Sequence, residues 1–173
     1  MATTYEAIAT VTVGSGGAAN IEFTSIPGTY TDLLIKFSIR DLRNSAGPGY
    51  LHLKFNDNTS SYSSRHLFTG SDDGNPASQA RTDDYASFAI NTDYSTANTF
   101  GNGELYIPNY TSSNNKSVSI DAVSETNGSF DAAVRNLTAF LWSNSAAITK
   151  ITLYGDNNFK QYSTATLYGI KNS

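Results

Sequence analysis

Cysteine is absent from this chain of 173 residues. That excludes disulfides, thiolate nucleophiles and cysteine-ligated metals, so the fold must hold by packing and sheet hydrogen bonds. Histidine is nearly absent as well, with only His52 and His66. Zinc ligation and histidine-based acid–base chemistry have almost nothing to draw on, and the two histidines are not close-spaced. Charge is sparse: 15% of residues against about 25% in an ordinary domain, with a net charge of −4. The basic residues stand singly along the chain, which argues against nucleic acid as a partner, because phosphate binding needs clustered Lys and Arg. No apolar run approaches the roughly 18–20 residues that a membrane-spanning helix requires. Residues 1–6 show neither the basic nor the apolar segment of a secretory signal. The expected product is made in the cytoplasm and has no membrane partner.

What the chain has instead is a two-residue period, repeated from end to end. In Asp32–Arg40, Leu33, Ile35, Phe37 and Ile39 fall on one face while Lys36, Ser38 and Arg40 fall on the other. Side chains alternate across a strand, so this is a half-buried antiparallel strand with one wet side. Leu51, Leu53 and Phe55 repeat the pattern. These seven apolar residues are the predicted core. Tyr5, Ala7, Ala9, Val11 and Val13 are read as the inner face of a first strand. Gly14-Ser15-Gly16-Gly17 then predicts a hairpin to the Ala19–Phe23 strand. Gly155-Asp156-Asn157-Asn158 is read as a hairpin turn joining the last two strands. The period dissolves over Thr69–Asp84 and again over Asn91–Asn102, both read as long loops. No segment has a helical period and no linker divides the chain. The expectation is a single all-β domain over 1–173, an antiparallel two-sheet sandwich of about 10 strands, jelly-roll-like in its connections.

The residues that carry chemistry are thinly spread. His52 sits on the polar face of its strand and reads as a solvated or interface histidine, and His66 reads the same way. Asp72-Asp73-Gly74-Asn75, Asp83-Asp84 and Asp156-Asn157-Asn158 offer oxygen ligands for calcium, but none follows the twelve-residue loop with its terminal Glu. Glu104, Asp121 and Glu125 are the carboxylates that sheet pairing can bring together for glycoside hydrolysis. There is no Gly-x-Ser-x-Gly elbow. Gly14–Gly17 lacks both the following helix and the Gly-Lys-Ser/Thr ending of a phosphate loop. No catalytic, cofactor-binding or metal-ligating set emerges, and the chain is read as a non-enzyme. Three loop aromatics remain: Tyr94, Phe100 and Tyr110. They stand among polar residues, where a glycan or a partner subunit can meet them, the subunit being the favoured reading.

Three stretches carry a resemblance. The opening Tyr5-Glu6-Ala7-Ile8-Ala9-Thr10-Val11-Thr12-Val13-Gly14-Ser15-Gly16-Gly17-Ala18 continues to Ile21–Pro27 and Tyr30–Leu33. The middle is Leu105-Tyr106-Ile107-Pro108-Asn109-Tyr110, and the ending runs from Gln161 to Lys171. Together they resemble small virion-associated proteins of tailed bacteriophages, especially phages of aquatic bacteria. The resemblance implies a structural component of the particle, located in the virion after synthesis in the host cytoplasm. A capsid decoration or cement protein that binds the major capsid protein or other virion proteins, as a homotrimer, is the leading expectation. The alternative is a tail-fibre or receptor-binding module recognising cell-surface glycan. A small carbohydrate-active enzyme ranks third.

Overall fold

The computed structural model describes residues 4–70, 76–81, 86–126 and 134–171. Every regular element in them is a strand: β1 (Tyr5–Thr12), β2 (Ala18–Phe23), β3 (Asp32–Asp41), β4 (Gly49–Phe55), β5 (Tyr62–Gly70), β6 (Pro76–Arg81), β7 (Ala86–Thr92), β8 (Gly101–Ile107), β9 (Lys116–Ser124), β10 (Val134–Trp142), β11 (Ile151–Phe159) and β12 (Thr164–Ile170). The larger sheet has the order β1-β12-β3-β8-β9-β10-β5-β6, antiparallel throughout. The smaller has the order β2-β11-β4-β7 and is closed at one side by the last residues of β3. That closure, Arg40 beside Asn91 and Asp41 beside Thr92, is the one parallel pairing among the described residues.

Alternation decides which residues lie between the sheets. β9 and β10 show it most cleanly, with buried and exposed residues taking turns along most of each strand. Leu33, Ile35, Ile39, Leu51, Leu53 and Phe55 are wholly buried and Phe37 nearly so, and all seven belong to one cluster. Rings join the layers. Phe55 of the small sheet lies 6.1 Å from Phe140 and 5.5 Å from Trp142 of the large one, and Phe37 lies 5.6 Å from Phe88. Each such side chain contributes about 1.5–3 kcal/mol by leaving water.

Four details differ from the sequence reading, each for a physical reason. The reversal at Gly14–Gly17 is present, with Gly17 at φ +71° and its amide bonded to the Gly14 carbonyl at 3.1 Å. Yet it is not a hairpin, because β1 pairs with β12 in one sheet and β2 with β11 in the other. Secondly, Gly155–Asn158 is not the final turn. It lies inside β11, where a Cβ on Gly155 would stand 2.8 Å from Asp41 Oδ2, so the strand can approach Asp41 only with glycine there. The turn is Lys160–Ser163, with Tyr162 at φ +73°.

Thirdly, β6 occupies part of the expected Thr69–Asp84 loop. It has no apolar period because it is an edge strand held by its ladder to β5, and Pro76 takes the first position, where a missing N–H costs least. Lastly, the inner face predicted for β1 is interrupted. A register shift between Ala7 and Ala9 leaves Tyr5, Ala7 and Ala9 exposed and turns Ile8 toward the core, while Val11 and Val13 lie inward as read.

The inward register of β3 sets an expected outcome. Ile35→Ala removes a fully buried side chain from the centre of the large sheet and should lower stability by about 2–5 kcal/mol in urea titrations. An unchanged midpoint would refute the packing described.

Candidate functional site

The loop aromatics do not converge. Tyr94 is half exposed, Phe100 is half-buried and Tyr110 is fully buried. The seven residues of β8 separate Phe100 from Tyr110, roughly 20 Å of extended chain. Tyr110 is therefore a core residue and not a surface contact. Asn109, at φ +49°, begins a turn closed by the Ser112 amide on the Asn109 carbonyl at 2.9 Å. The turn swings the ring inward, where its hydroxyl donates to the Pro27 carbonyl, and burial raises its pKa. Lys116, only 1% exposed, fixes the same loop by donating to the Ser112 carbonyl at 2.8 Å and to that of Asn114. Burial lowers the pKa of this ammonium.

Tyr94 projects from a loop that is held hard. The Arg40 side chain, 3% exposed, donates from Nε to Asp93 Oδ1 at 2.9 Å, from Nη1 to the Thr96 and Thr99 carbonyls at 2.8 and 2.7 Å, and from Nη2 to the Ser95 carbonyl at 3.0 Å. Lys160 adds a 2.6 Å bond to the same Asp93 oxygen. Burial pushes the Asp93 carboxyl up, but the hydrogen bonds and charges of Lys160 and Arg40 outweigh it and hold the carboxyl below its ordinary value. Asp41 goes the other way. Burial raises its carboxyl despite bonds from the Arg43 and Asn157 amides.

The histidines are more enclosed than their strand positions suggested. His52 is 5% exposed, its Nε2 2.8 Å from Asp156 Oδ1 and its ring 5.1 Å from that of Tyr154. Tyr154 is its direct partner on β11, so a neighbouring strand covers a position that alternation alone would leave wet. His66 points into the sandwich, its Nε2 2.7 Å from Ser64 Oγ and its Nδ1 2.9 Å from Thr138 Oγ1. Of the calcium candidates, Asp72–Asn75 and Asp83–Asp84 lie outside the described residues, while Asp156–Asn158 forms part of β11. Among the described residues no three His, Asp or Glu cluster around a point that could hold a metal. Glu104 and Asp121 are cross-strand partners on the outer face of the large sheet, whereas Glu125 follows the end of β9. Glu104 forms an exposed ion pair with Lys36 at 3.3 Å.

That outer face is where surface chemistry collects, and it falls into two regions. On β12, β3 and β8, the residues Tyr168, Leu34 and Tyr106 stand side by side in register, with Tyr5 at the edge on β1. With Lys36, Glu104 and Ser119 they line an open groove of about 760 Å³. Tyr106 donates from its hydroxyl to Asp32 Oδ2 at 2.8 Å, while Asp32 Oδ1 accepts the Asn109 amide at 2.9 Å. The bond to Asp32, then burial, then the charges of Asp32 and Tyr5 raise the Tyr106 pKa. On β10 and β5, Leu137 and Leu67 are direct partners, 57% and 49% exposed. Ala139, exposed, and Leu141, half-buried, extend that apolar strip along β10.

The other sheet presents a different surface. Lys150 bridges Glu22 at 3.1 Å and Asp57 at 2.9 Å, and Lys54 lies 5.3 Å from the centre of the Tyr154 ring. Sequence reasoning missed Tyr106, Tyr168, Leu67 and Leu137 as surface groups. The available signal was an aromatic or leucine on the wet side of an alternating strand, such as Tyr106 between Leu105 and Ile107. Comparison with protein-family models, curated proteins and solved structures gives no significant match.

The Arg40–Asp93 bond has a worked pH signature. A carboxyl held low contributes stability that is complete above its unfolded value, about 3.9, and is lost as pH falls through its lower folded value. Asp93→Asn should therefore be less stable than the parent chain near neutrality. The gap should close below about pH 4, as measured by urea unfolding between pH 2.5 and 7. A gap independent of pH would show that Asp93 acts only through its shape.

Proposed function

We propose that this chain is a non-catalytic structural protein of a bacteriophage particle, a decoration or cement protein that docks on the capsid lattice through the outer face of its large sheet. The observation that carries the reading is the Leu137–Leu67 pair, two leucines directly opposed on the solvent side of adjacent strands and each about half exposed. Large apolar groups placed together on a wet face mark an interaction surface more often than chance exposure does. The likeness of the Tyr5–Pro27, Leu105–Tyr110 and Gln161–Lys171 stretches to small phage virion proteins points to the particle as the partner.

Other features support the same reading. The two outer faces differ in their apolar groups: the exposed leucine pair lies on the large sheet, and the Glu22–Lys150–Asp57 cluster lies on the small one. One face can meet a partner while the other stays hydrated. A homotrimer suits a repeating lattice, because joined copies multiply modest affinities through effective concentration.

The test is reconstitution. Particles stripped of this protein should rebind it, and a purified particle should carry it in many copies around the capsid. Leu67→Asp with Leu137→Asp should reduce rebinding at least about a hundredfold, the equivalent of about 3 kcal/mol. Both side chains are exposed, so melting temperature should stay within a few degrees of the parent. Full rebinding by the double variant would remove this face from the contact. Density for the chain only at the tail would end the decoration reading.

A further inference from the structure

We infer that the groove on the outer face of β12, β3 and β8 is a binding site for a neutral pyranose glycan, separate from the lattice contact. Sugars of this kind present flat patches of C–H groups edged by hydroxyls, and they are held by aromatic faces beside paired hydrogen-bond donors and acceptors. The groove supplies both. Tyr5 and Tyr106 are 54% and 37% exposed, and Tyr168 is half-buried beside Leu34. Two strand spacings part Tyr168 from Tyr106, ~10 Å, about the end-to-end length of a disaccharide.

The platform is organised before any ligand arrives. Asp32, 4% exposed, holds the Tyr106 hydroxyl at 2.8 Å and is itself fixed by the Asn109 amide at 2.9 Å. The ring therefore loses little freedom on binding, which is where such sites gain affinity. Along one side, the exposed Lys36 offers an ammonium and Glu104 a carboxylate 3.3 Å apart, a donor and an acceptor spaced for adjacent hydroxyls. Ser119 adds a hydroxyl to the same wall. A second hollow continues past Lys36 and Glu104 toward Asn102 and Asp121, so the site extends beyond two sugar units.

Charge selects the class of occupant. Lys36 is the one cation in either hollow, and it is already balanced by Glu104 with Asp121 alongside. A phosphate, sulfate or uronate would meet more negative than positive charge there. An apolar peptide would find no exposed aliphatic side chain in the tyrosine groove, where Leu34 is only 7% exposed, and its backbone would compete with the Lys36–Glu104 pair. A neutral polyol with a flat C–H face is what remains.

The tyrosine end of the site is clear of the leucine pair. Tyr106 and Tyr168 stand two and four strand steps from Leu137, so a sheet twist of −20 to −25° per step turns their faces ~40–100° away from it, and only the second hollow reaches Asp121, the cross-strand neighbour of Leu137. A particle bound through Leu67 and Leu137 would hold the tyrosine groove outward.

Titration calorimetry on the purified chain tests this, with neutral hexasaccharides of glucose, mannose and galactose as probes and a heparin hexasaccharide as the charged control. At least one neutral probe should bind saturably, and heparin should not. Tyr106→Ala and Tyr168→Ala should each weaken that binding about tenfold or more, with the circular dichroism of the folded chain retained and a lower melting temperature only in Tyr106→Ala, where Asp32 loses a partner. Tyr94→Ala, on the Arg40-anchored loop, should leave binding intact. Backbone amide shifts on titration should centre on β12, β3 and β8. Failure of every neutral probe, binding by heparin alone, or full affinity in both tyrosine variants would overturn the proposal. Rebinding to stripped particles reads the lattice contact separately, so either idea can fail without the other.

Discussion

β3 supplies hydrogen bonds to β12 and β8 over most of its length, and at its last two residues it turns its edge to β7 and β11. A strand shared by two sheets must leave one plane and enter the other, and the point of transfer puts polar backbone in the interior. Arg40 and Asp41 sit there, 2% and 0% exposed. Their charges are tolerated because each is surrounded by partners. The Arg40 guanidinium spends its donors on Asp93 and three loop carbonyls, Asp41 accepts two amides, and Ser163 Oγ accepts the Arg40 amide at 3.1 Å. Removing one partner from such a set leaves an uncompensated buried charge, which costs far more than the pair itself contributes.

The same crossing explains what sequence could and could not convey. Period and burial are local, so Leu33–Ile39 and Leu51–Phe55 announced both the strand type and the core. Partner choice is not local. Gly14–Gly17 looks like a hairpin turn because its residues are hairpin residues, but β1 and β2 are claimed by β12 and β11, more than a hundred residues away. β6 was hidden for the opposite reason: its order comes from the backbone of β5, and backbone hydrogen bonding leaves no pattern of side chains to read. Tyr110 was misplaced because a polar loop sequence does not reveal that a turn at Asn109 carries the next ring inward. The tyrosine groove is assembled from five strands scattered between residues 5 and 168, four of which supply one aromatic or leucine apiece. Nothing in any one strand marks it.

Scarcity of charge becomes intelligible once the faces are known. Among the described residues the small sheet carries the Glu22–Lys150–Asp57 pairs, while the large sheet sets the Lys36–Glu104 and Lys171–Glu6 pairs among rings, hydroxyls and leucines. A lightly charged face costs little to dehydrate, and dehydration is the step at which charged surfaces lose most of their binding energy. The Ser, Thr and Asn that replace charge keep water at the strand edges without repelling a second surface.

β12 is the last of the described strands to be synthesised, and it lies between β1 and β3 in the large sheet. Until it emerges, β1 has no partner and β3 has one open edge. The nascent chain thus waits, with its earliest strands synthesised but unable to close. Long-range pairing of this kind is slow, and open edges invite pairing with other chains. At the end of β1 the outward residues Thr10 and Thr12, which will face Thr166 and Thr164 of β12 in register, cover that open edge in the meantime. A waiting edge dressed in hydroxyls is well hydrated, a property that serves the unfinished chain on the polysome rather than the finished sandwich.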